Sequence, residues 1–311
     1  MLALGGNALG RPEQEGTYEE QAANVKLACA QVVKLLKKGH NLVLTHGNGP
    51  QVGALAIQSA ATREVPEQPL HVLGAMTQGE IGYLIQRELG NQLRAASLKR
   101  PVVALVTQVV VNRDDPAFQN PSKPIGPFYD ETTAKRLATE RGFVVKKVLP
   151  KGERQFRRAV PSPDPVRIVE AELIAGLVET GAVVISSGGG GIPVVSDGSG
   201  QLVGVDAVID KDLGAERLAE AVSADALLVL TNIEKVKLNF GKSDEKDLDK
   251  LSVREAERYL AEGQFGSGSM GPKVLACIRF LKWGGKVGVI SSLEKATEAL
   301  DGTAGTRFVP D

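Results

Sequence analysis

Three glycine-rich segments stand where short apolar runs of the chain end. Glycine lets the backbone turn sharply and brings its N–H groups close to an anion. Pro50 suits the first turn of a helix, whose N-terminus attracts negative charge. One such loop is often only a tight turn, but three in the same part of the chain predict an anion-binding site. The segments are Gly5-Gly6-Asn7, Gly47-Asn48-Gly49-Pro50 and Gly188-Gly189-Gly190-Gly191.

Three lysines have neighbours that suit phosphate chemistry. Lys123 lies between Pro121 and Pro124, Lys211 lies within Asp210-Lys211-Asp212, and Lys273 follows a further glycine-rich segment. Phosphoryl transfer needs positive charge around the phosphoryl oxygens and in-line positioning of donor and acceptor. An Asp-Lys-Asp run is often only a helix cap with a solvated ion pair. Its nearly apolar lead-in, residues 205–209, favours a buried and functional pair instead.

Two common nucleotide-binding fingerprints do not fit this chain. Gly5 and Gly10 have the glycine spacing of a P-loop, but Arg11-Pro12 stands where a Lys-Ser/Thr pair is required. Residues 266–271 match GxGxxG, but a polar segment precedes them where a dinucleotide-binding fold would have its first strand. The sequence therefore predicts neither a Walker-type ATPase nor a Rossmann dehydrogenase.

The composition excludes several classes of protein. Lys plus Arg and Asp plus Glu each number 37, so no overall field favours nucleic acid or an acidic membrane surface. Only three histidines are present, which argues against a histidine-rich metal site. The two cysteines, Cys29 and Cys277, lie in apolar helical patterns without metal-ligand spacing, so we expect two buried thiols. We find no run of 18 apolar residues, and the first residues contain no basic region or long apolar stretch, so we expect a cytoplasmic protein.

Short β-type runs alternate with helical periods along the chain, which is typical of a mostly parallel sheet covered by helices on both faces. Residues 112–165 break this rhythm with prolines and charges, so we expect an inserted flap there. A turn-rich block at residues 198–204 suggests the boundary between an N-terminal lobe, 1–203, and a C-terminal lobe, 204–311. The predicted strands are Leu42 to Thr45, Val102 to Val106, Ala182 to Ser186, Ala226 to Leu230 and Val287 to Ile290.

Taken together, these residues resemble the carbamate kinases of the amino acid kinase superfamily, over essentially the whole chain. The glycine loops and the DKD element are shared across that superfamily. The flap motif Asn120-Pro121-Ser122-Lys123-Pro124-Ile125-Gly126 is specific to this branch and separates it from acetylglutamate, glutamate and aspartate kinases. Other matching stretches are Ala3 to Ala8, Gly47 to Gly53, Val205 to Asp212 and Gly268 to Val274.

The resemblance implies a three-layer αβα fold and reversible phosphoryl transfer between MgATP and carbamate, giving MgADP and carbamoyl phosphate. It places carbamate in the N-terminal lobe and the nucleotide in the C-terminal lobe. It further implies Mg²⁺ bound with ATP or ADP, with no metal ligand assigned to the protein, and a homodimer. A kinase of another small carboxylate and a non-catalytic nucleotide-sensing protein of the same fold remain as alternatives.

The resemblance also implies roles for individual residues. Lys211 and Lys273 would bridge the transferring phosphoryl oxygens, Asp212 would hold both lysines, and Lys123 would arrive from the flap. The acceptor and the phosphoryl group would be cradled by Gly5, Gly6, Asn7, Gly47, Asn48, Gly49, Gly189 and Gly190. The nucleotide pocket would be lined by Thr231, Asn232, Val236, Phe240, Met270 and Gly271.

Overall fold

A computed structural model describes residues 1–6, 9–10, 14–61, 64–266 and 269–311 of the protein. The helices of this part of the chain are α1 Tyr18–Lys37, α2 Gly49–Ala60, α3 Leu70–Ala95, α4 Glu131–Arg141, α5 Ala171–Glu179, α6 Lys211–Ala221, α7 Val253–Ala261, α8 Met270–Trp283 and α9 Ala296–Asp301. The strands are β1 Leu2–Leu4, β2 Val43–His46, β3 Val102–Ala104, β4 Gln108–Val111, β5 Lys123–Tyr129, β6 Val144–Lys147, β7 Phe156–Val160, β8 Pro165–Ile168, β9 Val183–Ile185, β10 Ile192–Ser196, β11 Leu202–Gly204, β12 Ala226–Thr231, β13 Val236–Leu238, β14 Lys246–Leu248, β15 Lys250–Ser252, β16 Val287–Ser292 and β17 Thr306–Val309.

The central sheet has eight strands in the order β15-β17-β16-β12-β1-β2-β9-β3. Neighbouring strands are parallel except at β16 and β17, which pair in antiparallel fashion. Strands β1 and β9 are wholly apolar, and β2 and β12 are apolar up to their carboxyl ends, as expected where helices cover both faces of a sheet. The five predicted strands coincide with β2, β3, β9, β12 and β16, within one or two residues at their ends.

Two hydrophobic cores lie on opposite faces of this sheet. Ala3 of β1 points into the core formed with α5, α6, α7 and α8, whereas Leu2 and Leu4 point into the core formed with α1, α3 and α9. This alternation follows from the two-residue period of a strand. Cys277 and Cys29 lie in the two cores respectively, both buried and free. The predicted α/β sandwich with helices on both faces is confirmed.

Three smaller sheets accompany the central one in the described residues, and the smallest pairs β13 with β14. Strands β11, β10, β4 and β8 form a four-stranded sheet, and β5, β7 and β6 form a three-stranded sheet that packs with α4. We call residues 123–160, which hold the three-stranded sheet and α4, the flap. It falls inside the region 112–165 where the sequence rhythm breaks. The central sheet takes strands from both sides of residue 203, and the division into two lobes at that point stays a prediction.

In the part of the chain that the structure describes, we find no helix that combines the length and apolarity needed to cross a membrane.

Glu216 is an unusual feature of α6, because its carboxyl group lies wholly inside the protein. Neither carboxyl oxygen has a hydrogen-bond partner among the described residues, and the Arg217 Nε is 3.7 Å from one of them. Burial is the main cause that raises the pKa of Glu216 to about 8, and the neighbouring Glu220 carboxylate raises it further. The Glu216 side chain is therefore protonated at neutral pH.

We expect Glu216→Gln to become more stable relative to the wild type as the pH rises from 5 to 8. The pKa of Glu216 lies above its ordinary value of 4.5 in the folded protein. Between these values only the folded chain holds the proton, so the wild type loses stability with rising pH. Glutamine does not titrate, and its advantage should grow by at least about 1 kcal/mol, since one pKa unit corresponds to about 1.4 kcal/mol.

Urea unfolding of both proteins at pH 5 and pH 8 measures this difference. A difference in the free energy of unfolding that is equal at the two pH values would show that Glu216 is ionised in the folded protein.

Candidate active site

The first two glycine loops meet at the carboxyl edge of the central sheet. The Gly5 N–H donates to the Leu230 carbonyl of β12 at 2.9 Å, and the Gly47 N–H donates to the Leu4 carbonyl of β1 at 3.0 Å. A Cβ atom at Gly5 would lie 2.8 Å from the Leu230 oxygen, and one at Gly47 would lie 3.1 Å from the Gly6 nitrogen. Gly5 therefore cannot carry a side chain without a backbone shift, and a side chain at Gly47 would require its neighbours to move slightly. Parallel α/β sheets bind ligands at this edge.

The third glycine loop packs against the second one. Gly189 and Gly190 have φ angles of +67° and +94°, which L side chains rarely adopt. A Cβ atom at Gly189 would collide with the Asn48 side chain, and one at Gly190 would lie 2.5 Å from the Ile209 carbonyl oxygen. The third loop therefore packs against both the second glycine loop and the segment that precedes α6.

Three buried polar side chains that the sequence did not indicate contact these loops from the protein interior. They are His46, Thr77 and Gln78. The Asn48 amide donates to the Thr77 hydroxyl of α3 at 2.9 Å, and the Gln78 amide donates to the Gly188 carbonyl at 3.0 Å. The His46 Nδ1 lies 3.0 Å from the Gly47 carbonyl oxygen. Burial lowers the pKa of His46 to about 4, so the imidazole is neutral and suits a donor role at Nδ1. Thr77 and Gln78 are polar residues at buried positions of α3, and this was the only signal available for them.

Lys211, Asp212 and Lys273 form a buried cluster next to the glycine loops. Asp212 is 2% exposed, and its two oxygens accept hydrogen bonds from different lysines. Lys211 donates to Oδ1, and Lys273 donates to Oδ2 at 2.8 Å. Lys211 lies at the first residue of α6 and Lys273 lies in the first turn of α8. Two of the three predicted lysines, Lys211 and Lys273, therefore contact the same carboxylate.

The ionisation of this cluster follows from burial and mutual attraction. Burial opposes ionisation of Asp212, but the ammonium groups of Lys211 and Lys273 outweigh it and hold the pKa of its carboxyl below the usual range. Burial is also the main influence on Lys211 and lowers the pKa of its ammonium group, although Asp212 acts in the opposite direction. We therefore assign an ionised Asp212 that stabilises the positive charge beside it.

Lys123 reaches the same cluster from the flap. Its Nζ donates to the Asp210 Oδ2 at 2.7 Å, while the Asp210 Oδ1 accepts from the Asp212 N–H at 2.9 Å and caps α6. Asp210 was not among the predicted site residues, although an aspartate just before a helix start is a recognisable cap. Three ammonium groups thus face two carboxylates, which leaves one net positive charge. A cluster of this kind suits a phosphoryl group.

The six predicted nucleotide residues lie in different environments. Thr231 is the last residue of β12 and Asn232 follows it at the carboxyl edge, and Met270 and Gly271 begin α8 close to Lys273 in sequence. By contrast, the Val236 side chain is wholly buried in the core, whereas Phe240 is 73% exposed. Their roles stay predictions. Asn7, predicted with the first glycine loop, lies outside the described residues.

Among residues 1–6, 9–10, 14–61, 64–266 and 269–311, no group of three or more His, Cys, Asp or Glu side chains is arranged to hold a metal ion.

A family model described as the amino acid kinase family matches residues 2–292. The chain belongs to this family. It is 53% identical to a carbamate kinase of Thermococcus kodakarensis, over 99% of this chain and 98% of the relative. A carbamate kinase of Pyrococcus furiosus is 51% identical, over 100% of this chain and 98% of the relative. The solved structure of a Giardia lamblia carbamate kinase bound to AMP-PNP matches with a TM-score of 0.92 at 42% identity, over 100% of this chain and 98% of that one. Within the family, the chain falls in the carbamate kinase branch.

We expect Asp212→Asn to lower kcat by about 10² or more, with a modest change in KM for ADP. Asparagine keeps the shape of the side chain but removes its charge, and its NH₂ group would face one of the two ammonium groups. Steady-state kinetics of ATP formation measures the effect, with circular dichroism to verify the fold. Asp301→Asn, which breaks the exposed ion pair with Lys38, should leave kcat unchanged and serves as the control. A wild-type kcat for Asp212→Asn would contradict the orienting role.

Proposed function

We propose that the protein catalyses reversible phosphoryl transfer between ATP and carbamate, giving ADP and carbamoyl phosphate. The observation that carries this proposal is the buried Lys211–Asp212–Lys273 cluster beside the glycine loops, with Lys123 delivered from the flap. Relatives named carbamate kinase, about half identical over the full chain, support the same reaction. Phosphoryl transfer from carbamoyl phosphate to ADP, giving ATP and carbamate, would be the direction used in arginine breakdown.

The glycine loops of the N-terminal lobe supply the acceptor site in this proposal. Carbamate is a small planar anion, so backbone N–H groups can bind it without a large pocket. A Cβ atom at Gly5 would overlap the Leu230 carbonyl oxygen, and one at Gly47 would be tight against Gly6. The residues assigned to this role are Gly5, Gly6, Asn7, Gly47, Asn48, Gly49, Gly189 and Gly190.

The lysines provide the electrostatic part of catalysis. Lys211 and Lys273 would contact the oxygens of the transferring phosphoryl group, while Asp212 holds both ammonium groups in place. Because the cluster is buried, its charges act in a medium of lower dielectric than water and are arranged before the reaction starts. The carbamate oxygen itself attacks the phosphorus, so no side-chain nucleophile is needed. Lys123 would complete the charge around the phosphoryl group when the flap is closed.

The nucleotide would bind in the C-terminal lobe, along Thr231, Asn232, Val236, Phe240, Met270 and Gly271. Of these, Val236 could contribute only through its backbone, because its side chain is buried. Mg²⁺ would arrive bound to the phosphates of the nucleotide, because Mg²⁺ is commonly held by substrate phosphates. When bound, Mg²⁺ would neutralise part of the negative charge of the phosphates. We also retain a homodimer and a cytoplasmic location as predictions.

A coupled assay for ATP formation from ADP, Mg²⁺ and carbamoyl phosphate tests the reaction. We expect turnover that depends on Mg²⁺, because three lysines cannot balance the whole charge of the phosphates. Removal of the metal with EDTA should abolish ATP formation, and added Mg²⁺ should restore it. Absence of ATP with folded protein, together with turnover on acetylglutamate or glutamate, would assign the protein to another kinase of the family.

Lys123→Ala tests the role of the flap. We expect kcat and kcat/KM for carbamoyl phosphate to fall together by about 10 to 10³, the usual effect of removing one charge-stabilising donor. Lys123 comes from a separate subdomain and should act mainly in the closed complex. The affinity for ADP alone, measured by calorimetry, should therefore stay within about threefold. Strongly weakened ADP binding with an unchanged kcat would instead make the flap a nucleotide clamp.

A further inference from the structure

The two ends of the flap region are fastened to each other. The Asp164 N–H, which follows the flap, donates to the Asp115 Oδ2 at 2.9 Å, across 49 residues of sequence. The other oxygen of Asp115 accepts from the Ala117 N–H at 2.8 Å and caps the short helical turn that precedes the flap. The segments that enter and leave the flap therefore lie side by side at Asp115 and Asp164.

Two arginines fix this point to the helices that carry the active-site lysines. The Arg279 Nη1 of α8 donates to the Asp164 Oδ1 at 2.6 Å. The Arg217 Nε of α6 donates to the Pro165 carbonyl oxygen at 3.1 Å. Arg217 is itself held by Glu220, whose carboxylate accepts from Nη1 at 2.8 Å. Since α6 begins at Lys211 and α8 carries Lys273, both lysine-bearing helices contact the same short segment.

A short route of backbone contacts joins this segment to Lys123. Four residues before Asp164, Val160 pairs with Lys123 across β7 and β5, and the Ser122 N–H donates to the Val160 carbonyl at 3.1 Å. The Val208 N–H donates to the Pro161 carbonyl at 2.9 Å. Pro161, Pro163 and Pro165 restrict φ along this connection, so a displacement at Asp164 would move the start of β5 as well.

We propose that Arg217, Arg279 and Asp164 form a flap clamp that sets the position from which Lys123 reaches the Asp210–Asp212 cluster. These are positioning residues: they act through Lys123 and do not touch the reacting groups. The inference rests on the proposed function for its kinetic consequences. The helices that hold two lysines thereby also fix the subdomain that delivers the third.

A purely stabilising ion pair is the alternative. The side chains of Arg279 and Asp164 are 29% and 46% exposed, and pairs of that exposure contribute little to folding. Stability alone predicts a small change in melting temperature and no change in kcat. A clamp instead predicts a change in kcat at constant nucleotide affinity, and the change must depend on Lys123.

The test uses Arg279→Met and Asp164→Asn in the full-length protein. Each should lower kcat for ATP formation by about two- to fivefold, the range expected when one partly exposed charged contact is lost. The kcat of the double variant should equal that of the less active single variant, because both changes break the same contact. The Kd for ADP, measured by calorimetry, should stay within about twofold. In a Lys123→Ala background, neither change should lower kcat further.

Lys282→Met is the matched control. Lys282 lies on the same helix as Arg279 but pairs with Glu257 of α7, away from the flap. It should leave kcat unchanged. An equal fall in kcat for this control, or a further fall in the Lys123→Ala background, would overturn the clamp and indicate general disturbance of α8.

Hydrogen exchange separates failure of the clamp from failure of the proposed reaction. Residues 123–129 and 156–160 should exchange faster in Arg279→Met and Asp164→Asn than in the wild type or in Lys282→Met. This readout needs no enzymatic activity. If the wild type makes no ATP, the proposed reaction is wrong, and the exchange still decides the clamp. Unchanged exchange in both variants would overturn it.

Discussion

The buried carboxylate of Asp212 is the constraint on which the site depends. A carboxylate and two ammonium groups lose hydration when they are buried, and only close pairing compensates for that loss. Asp212 is 2% exposed, so both of its oxygens need charged partners. This requirement brings the first turn of α6 against the first turn of α8, although Lys211 and Lys273 are far apart in the sequence. The same arrangement concentrates positive charge beside the glycine loops, where the proposed phosphoryl group would lie.

The glycine loops satisfy a steric requirement beside this electrostatic one. Gly190 lies against the Ile209 carbonyl, and Gly214 of α6 lies so close to Gly190 that a Cβ atom there would be 2.9 Å from its carbonyl oxygen. The backbone of the third loop can therefore approach α6 only where side chains are missing. His46, Thr77 and Gln78 then fix the loops from the protein interior. An anion bound here would meet preorganised backbone donors and a fixed cationic cluster.

The flap links these parts. Its first residue, Lys123, contacts Asp210, and Asp210 also caps the helix that carries Lys211 and Asp212. Asp210 thus contacts both the first residue of the flap and the first turn of α6. At its other end, the flap region is held by Arg217 and Arg279 from α6 and α8. The subdomain that supplies the third lysine is therefore anchored to both helices that supply the other two.

The sequence by itself determined the α/β layers, five strands of the central sheet, the glycine loops and the three lysines, because apolar periodicity, glycine and charge act locally. The motifs also determined the family. Only the tertiary structure decided that one carboxylate receives both Lys211 and Lys273, that Lys123 pairs with Asp210, and that Glu216 is buried without a hydrogen-bond partner among the described residues. It also showed that the Val236 side chain is buried and that of Phe240 exposed, a difference that the resemblance did not indicate. These facts depend on which distant segments meet and on how completely water is excluded, and no local pattern of residues encodes either.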